Sequence, residues 1–158
     1  MEGPQPPVGS YVVVVDDTAE SALALRFAAL RAARVGARLT LVHVLPKTEF
    51  MQWGAVQQAI EAEAEAKADA LLAGVADQVM GWTGARPSLI VARGETTTAV
   101  LETLRGDPSI RALVLGAAKK GQPGPLVDFF AGERAGQLPC LVMIVPGGLS
   151  EERLAELT

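Results

Sequence analysis

Five short apolar runs, each separated from the next by a segment of helical periodicity, constrain this chain more than any other feature. The first, Tyr11 to Val15, is a tyrosine followed by four valines and ends at Asp16. A strand with one solvated face alternates apolar and polar residues. An unbroken run belongs to a strand buried on both faces, and hence to a parallel sheet. The other four predicted strands are largely apolar: Leu39 to Val44, Pro87 to Ala92, Arg111 to Leu115 and Cys140 to Val145. Pro46 stops the second and Pro146 the fifth.

Helical segments fill the gaps. Thr18 is a candidate N-cap, and Leu23, Phe27 and Leu30 predict the core stripe of the first helix, with Gly36 just past its end. Lys47 to Gly54 reads as a loop containing Phe50 and Trp53. A long second helix is predicted over 56–79, with Ile60, Ala64, Ala68, Leu71, Val75 and Val79 facing inward. Gly94 turns the chain, and Val100, Leu101 and Leu104 mark a short third helix ending at Gly106. Val127, Phe130, Ala131, Ala135 and Leu138 share one face of a fourth. Ser150 caps a last short helix with Leu154 and Leu157 on one side.

The resulting β-α-β-α-β-α-β-α-β order predicts an α/β fold. It is a three-layer α/β/α sandwich with a five-stranded parallel sheet of order 3-2-1-4-5 and right-handed crossovers. In such sheets ligands bind at the carboxyl ends of the strands where the order reverses, here between strands one and four. Asp16 and Gly116 then stand on opposite lips of one crevice. The expected organisation is a flexible leader over 1–10, one domain over 11–146 and a tail over 147–158 carrying the short helix.

At 158 residues, 49% hydrophobic and 20% charged, the chain supports one globular core. Its formal charge of −4 lacks the basic stripe that nucleic-acid binding requires. No apolar segment has the length of a membrane span, and no signal peptide is visible. A cytoplasmic protein is expected. The lone cysteine, Cys140, excludes an internal disulfide and reads as a core thiol. One histidine and one cysteine do not make a metal site of the usual kind, and Asp16-Asp17 alone does not hold a divalent ion. His43 sits within a strand and reads as a packed side chain. There is no Ser-His-Asp order, no pair of catalytic acids and no Gly-Lys-Ser/Thr phosphate loop, so no catalytic residue is assigned.

The stretch from Gly116 to Asp128 joins the fourth strand to the fourth helix and carries Gly116, Gly121 and Gly124. Strand, glycine-bearing loop and helix start can present backbone N–H groups to an anion. Lys119 and Lys120 add charge at the mouth, or are simply solvated. Asp16 has two readings as well, a ligand contact or a carboxylate closing its own strand-to-helix turn.

These residues together resemble the universal stress protein family over about residues 10–146. Val-Val-Val-Asp16-Asp17-Thr18 followed by Ser21, Ala24 and Leu25 is similar to the family's opening strand and helix start, with Asp17 in place of the usual Gly. Leu-Val-His43-Val44 matches its His-Val ending of strand two. Leu113-Val114-Leu115-Gly116 and Leu138-Pro139-Cys140-Leu141-Val142-Met143-Ile144-Val145-Pro146 are similar to its fourth and closing strands. The resemblance implies a Rossmann-like domain of the adenine nucleotide alpha hydrolase-like type in bacterial stress response. It also implies a homodimer through the fifth strand, Cys140 to Val145. ATP is bound by some members and not by others. Where it is bound, the strand-one Asp and strand-two Val border adenine and ribose, which implies Asp16 and Val44 here. The phosphate motif of those members is Gly-x-x-Gly, nine residues, then Gly-Ser or Gly-Thr. Only Gly116 matches it. Lys119 stands at the second Gly, and Leu126 and Val127 fall near the Gly-Ser pair.

The expectation is therefore a non-catalytic interaction domain with no resident cofactor and weak or absent ATP binding. The nucleotide or anion contacts expected of the crevice are Asp16, Val44, Gly116, Lys119 and Gly121. An AMP or ATP sensor is the alternative, and an adenine-nucleotide hydrolase a more remote one.

Overall fold

The computed structural model describes residues 8–47 and 54–158. Residues 1–7 of the expected leader, and Phe50 and Trp53 of the expected loop, lie outside the described residues. Strands β1 (Ser10–Val14), β2 (Arg38–Leu45), β3 (Ser88–Arg93), β4 (Ile110–Ala117) and β5 (Leu141–Pro146) form one sheet of order β3-β2-β1-β4-β5. Every pairing is parallel, as the unbroken apolar runs require. Helices α1 (Ala19–Val35), α2 (Gly54–Thr83), α3 (Thr96–Gly106), α4 (Pro125–Phe130) and α5 (Glu151–Leu157) complete the fold.

Alternate residues of the central strands feed two separate cores, following the period of two along a strand. Val13, Val15, Leu39 and Leu41 pack with α1, α2 and Leu154 of α5 on one face. Val12, Val14, Val42, Leu113 and Leu115 pack with Val100 and Leu104 of α3 and Phe130 of α4 on the other. Burial on both faces explains the unbroken apolar stretches Val12–Val14 of β1 and Ala112–Leu115 of β4. α5 is the docked tail helix: Ser150 Oγ accepts from Arg153 N at 3.1 Å, and Leu154 is 1% exposed. Leu157, expected beside it, stays exposed.

Three helices differ from expectation in their contacts. α1 buries Ala24, Leu25, Ala28, Ala29 and Ala32, while Leu23 and Phe27 pack along the margin of the core. Alanines on the contact line let the helix approach the sheet closely, and the larger side chains fill the flanks. α2 buries Ala68, Leu72, Ala76 and Val79; Leu71 and Ile60 are exposed. The first buried residue of α2 is Ala68, so its N-terminal turns overhang the body. The overhang is tethered by Glu65, whose Oε1 lies 2.7 Å from Arg93 Nη2 of β3. α4 ends at Phe130 instead of running on through Ala135. Gly132 and Gly136 interrupt the pattern, each costing about 1 kcal/mol in a helix interior, and only a 3-10 turn, Ala135–Gln137, follows.

Candidate functional site

A crevice of about 400 Å³ opens at the carboxyl ends of β1, β2 and β4, lined among others by Asp16, Val44 and Gly116. This is the place that the reversal of strand order predicts. Its walls are Val14, Val114, Leu115, Leu126 and Val127. Val127 is buried in the core and Leu126 packs against it, so these two residues close the crevice as an apolar wall and offer no side-chain donor.

The β1–α1 turn is built from its own side chains. Asp16 Oδ1 accepts from Thr18 N at 2.8 Å and from Thr18 Oγ1 at 2.6 Å. Thr18 Oγ1 caps α1, accepting from Ser21 N at 3.2 Å. Ser21 Oγ donates to Val14 O at 3.0 Å and accepts from Asp16 N at 3.2 Å. Both readings of Asp16 thus meet in one place: its carboxylate closes the turn and also borders the crevice. His43 lines the crevice as well. Its Nδ1 lies 2.8 Å from Val15 O. A carbonyl only accepts, so Nδ1 carries the proton, and in the neutral ring Nε2 is left as an acceptor.

Gly116 is held for a packing reason. A Cβ built there would overlap the carbonyl of Glu20. The missing side chain lets the first turn of α1 sit directly on the end of β4. The remaining two candidates are elsewhere. Lys119 and Gly121 are exposed and do not line the crevice. The Lys119 stem runs beside the Gly147–Gly148 turn after β5, with its Cγ 3.6 Å from where a Cβ on Gly148 would stand. The loop folds back at Ala118, whose N–H donates to Pro123 O at 3.0 Å, and neither lysine lines the crevice. The loop reaches the crevice through Pro123, Gly124 and Pro125, two of which have no N–H.

Glu95, Thr96 and Thr97, none of them among the contacts expected from the sequence, form the third side of the crevice. Glu95 is the N-cap of α3 and accepts from the N–H groups of Thr97 and Thr98 at 3.1 and 2.9 Å. Both hydroxyls also donate to it, each at 2.7 Å. The Thr98 hydroxyl, then that of Thr97, then the two N–H groups hold its carboxyl down at about 2. The signal was present as an acid followed by three threonines before an apolar stripe, a carboxylate variant of the usual cap.

The lining therefore contains three carboxylates, Asp16, Glu20 and Glu95, and among the described residues no lysine or arginine. Of the three helix N-termini that line it, those of α1 and α3 are capped by side chains of their own turns, while that of α4 begins at Gly124-Pro125 without a side-chain cap. Cys140, directly before β5, is half-buried against the core, and burial pushes its thiol up.

Comparison with known proteins adds the context. The family model described as "Universal stress protein family" matches residues 10–146. No curated protein sequence matches. Among solved structures, the universal stress protein UspA from Lactobacillus plantarum is similar with a TM-score of 0.68 at 18% identity, over 89% of this chain and 99% of that one. A universal stress protein in complex with cAMP aligns with a TM-score of 0.62 at 17% identity, over 89% and 98% of the two chains. A universal stress protein from Archaeoglobus fulgidus in complex with dAMP aligns at 0.51 and 22% identity, over 86% and 96%. At these identities the structures establish the fold.

Proposed function

This chain belongs to the universal stress protein family, and from that premise we propose that it is a non-catalytic stress-response interaction domain whose crevice does not hold a triphosphate. The observation that carries this reading is the state of the crevice donors. Thr18, Ser21 and Thr97 hydroxyls are each spent on an internal acceptor, the lining has among the described residues no basic residue besides His43, and Pro123 and Pro125 lack N–H groups. A polyphosphate needs charge-assisted donors worth about 1.5–3 kcal/mol each. Two missing donors move a micromolar site to about the millimolar range.

Among the described residues, the internal engagement of the Ser21 hydroxyl and the His43 ring supports the non-catalytic part. Ser21 Oγ is tied to Val14 O and Asp16 N, and the His43 ring is tied through Nδ1 to Val15 O. In this reading the protein works in the cytoplasm as a homodimer through β5. The support for the dimer is that Leu141 is 71% and Ile144 42% exposed on a strand at the sheet edge. Such an edge is normally paired or covered.

Isothermal titration with ATP-Mg and with AMP tests the reading. The expected dissociation constant for ATP is weaker than about 100 μM. A value below about 10 μM, on the order of −7 kcal/mol, would overturn it. A second reading, a nucleotide-dependent sensor, is favoured by the two similar proteins solved with cAMP and dAMP. The same titration promotes it if AMP binds tightly.

A further inference from the structure

The amino ends of the strands carry a second recess, of about 390 Å³, lined among others by Ser10, Arg38, Thr40, Ser88, Ile90 and Asp107. Strand register places these residues of β1, β2 and β3 on one face. Ser10 pairs with Arg38 and Thr40 with Ser88, and Ser10 and Thr40 stand two residues before Val12 and Val42, which pack with α3. Beyond the reach of the apolar residues of α3, the same face turns polar. Ser10 is 3% exposed and its Oγ has no hydrogen-bond partner among the described residues. A buried hydroxyl is normally paired, so this one points to a group that enters from outside. The hydroxyls of Thr40 and Ser88 have no partner among the described residues either. Two opposite charges flank these hydroxyls. Arg38 Nη2 donates to Val8 O at 3.3 Å, and its other N–H groups are unengaged. Asp107 Oδ1 accepts from Ser109 N and Oγ at 2.9 and 2.6 Å, which leaves Oδ2 open. The Ser109 hydroxyl and N–H, with the charge of Arg38 adding to them, hold the Asp107 carboxyl below its usual range. Arg38 and Asp107 nevertheless form no ion pair with each other among the described residues.

We propose that this recess binds a free α-amino acid with a small aliphatic side chain, its carboxylate on Arg38 and the hydroxyls, its ammonium on Asp107 and its side chain against Ile90. A simple anion is repelled by Asp107 and a simple cation by Arg38, whereas a zwitterion of this size meets both. A guanidinium takes a carboxylate through two parallel N–H donors, and hydroxyls donate to the same oxygens. The carboxyl end of α3, which stops at Gly106 beside the recess, adds partial negative charge on the ammonium side. A neutral polyol would use the hydroxyls but leave both charges without a counter-ion. The recess lies at the opposite ends of the strands from the crevice, so the inference is independent of the reading above.

The experiment uses three probes of one shape: L-valine, L-valinamide, which lacks the carboxylate, and N-acetyl-L-valine, which lacks the ammonium. Each is titrated into the isotope-labelled full chain, and binding is read from the backbone amide resonances of Ser10, Thr40 and Ser88. L-valine is expected to bind about fivefold more tightly than either analogue, the size of one partly screened charge contact. Arg38→Gln is expected to bring L-valine down to the level of L-valinamide. Asp107→Asn, which keeps an acceptor for the Ser109 turn, is expected to bring it down to that of N-acetyl-L-valine. Ser10→Ala is expected to weaken L-valine while leaving the Tm of the free chain unchanged or raised, because no internal hydrogen bond is lost. Several results overturn the inference: no saturable shift at millimolar L-valine, equal affinity for all three probes, or charge variants that weaken all three alike. Shifts confined to the crevice around His43 overturn it as well. So does a Ser10→Ala chain that unfolds at lower temperature, which would give the hydroxyl a purely structural role. Glucose binding more tightly than L-valine would assign the recess to a neutral polyol and refute the zwitterion.

Discussion

Replacing Gly116 by alanine separates a packing role from a ligand role at the most conspicuous residue of the crevice. The added Cβ would overlap backbone atoms of Glu20, both its carbonyl oxygen and its carbonyl carbon. Neither belongs to a rotatable side chain, so relief requires the N-terminal turn of α1 to lift off β4. That turn holds Asp16, Thr18 and Ser21 in one hydrogen-bonded set. Overpacking of this kind costs about 2–3 kcal/mol. The φ of Gly116 is not positive, so alanine there gains up to about 1 kcal/mol through the lower entropy of the unfolded chain. The net expectation is a loss of about 1–2 kcal/mol, or a fall in Tm of roughly 3–8 °C for a domain of this size. Urea unfolding with an unchanged m-value is the assay. Gly121→Ala is the control: its surroundings are open and its φ is +76°, so only backbone strain of about 1 kcal/mol is expected. If Gly116→Ala unfolds at the same urea concentration as the parent yet loses affinity for a crevice ligand, the packing argument is wrong and the bare backbone serves the ligand.

The registry of α2 gives a paired test: Leu72→Ala, at 1% exposed, should cost about 2–5 kcal/mol, while Leu71→Ala, at 42% exposed, should stay within about 0.5 kcal/mol. Equal losses would restore the stripe expected from sequence. Glu95 has a carboxyl lowered from 4.5 to about 2 in the folded chain, so its contribution is present above pH 4.5 and disappears as pH falls toward 2. Acid unfolding curves of parent and Glu95→Gln should therefore converge across that window, and a gap that persists at pH 2 would contradict the assignment. At the β5 edge, Ile144→Lys is expected to yield a folded monomer by sedimentation at micromolar concentration. A parent chain that is itself monomeric, or a variant that stays dimeric, would rule out this seam. Met143 is a poorer test position because it packs against the core.

The strand order was readable because β1 and β4 are buried on both faces and show it as valine and leucine without interruption. The crevice followed from that order, and Asp16, Val44 and Gly116 do line it. Other features were not readable, for identifiable physical reasons. In α2, Leu71 and Leu72 are adjacent and alanines stand at many of the remaining positions, so several stripes fit the helical period equally well. Only contact with the sheet chooses Leu72. In α4, Val127 and Phe130 were placed correctly, but Ala131 and Ala135 carry too little apolar surface to hold a helix through Gly132 and Gly136. Lys119 was assigned to the crevice by counting along a motif, whereas in the folded chain it is exposed beside the Gly147–Gly148 turn and does not line the crevice. Glu95 was missed because a glutamate before threonines resembles ordinary surface polarity until the hydrogen bonds of the α3 cap are seen.

The overhang of α2 divides one helix into two thermodynamic units. From Gly54 to Lys67 no residue is buried, a length of about 21 Å at 1.5 Å per residue, and the tether between Glu65 and Arg93 is exposed. Opening these turns uncovers no core, so their amides should exchange with solvent by local fraying, at a free energy well below that of global unfolding. From Ala68 onward, exchange requires detaching Leu72, Ala76 and Val79 from α1 and the sheet. A protease that cleaves after glutamate, acting at Glu61 within the unburied turns, should consequently nick the helix in the native protein and leave the five-stranded body folded, so that cleavage there tracks the local equilibrium and not the lifetime of the fold.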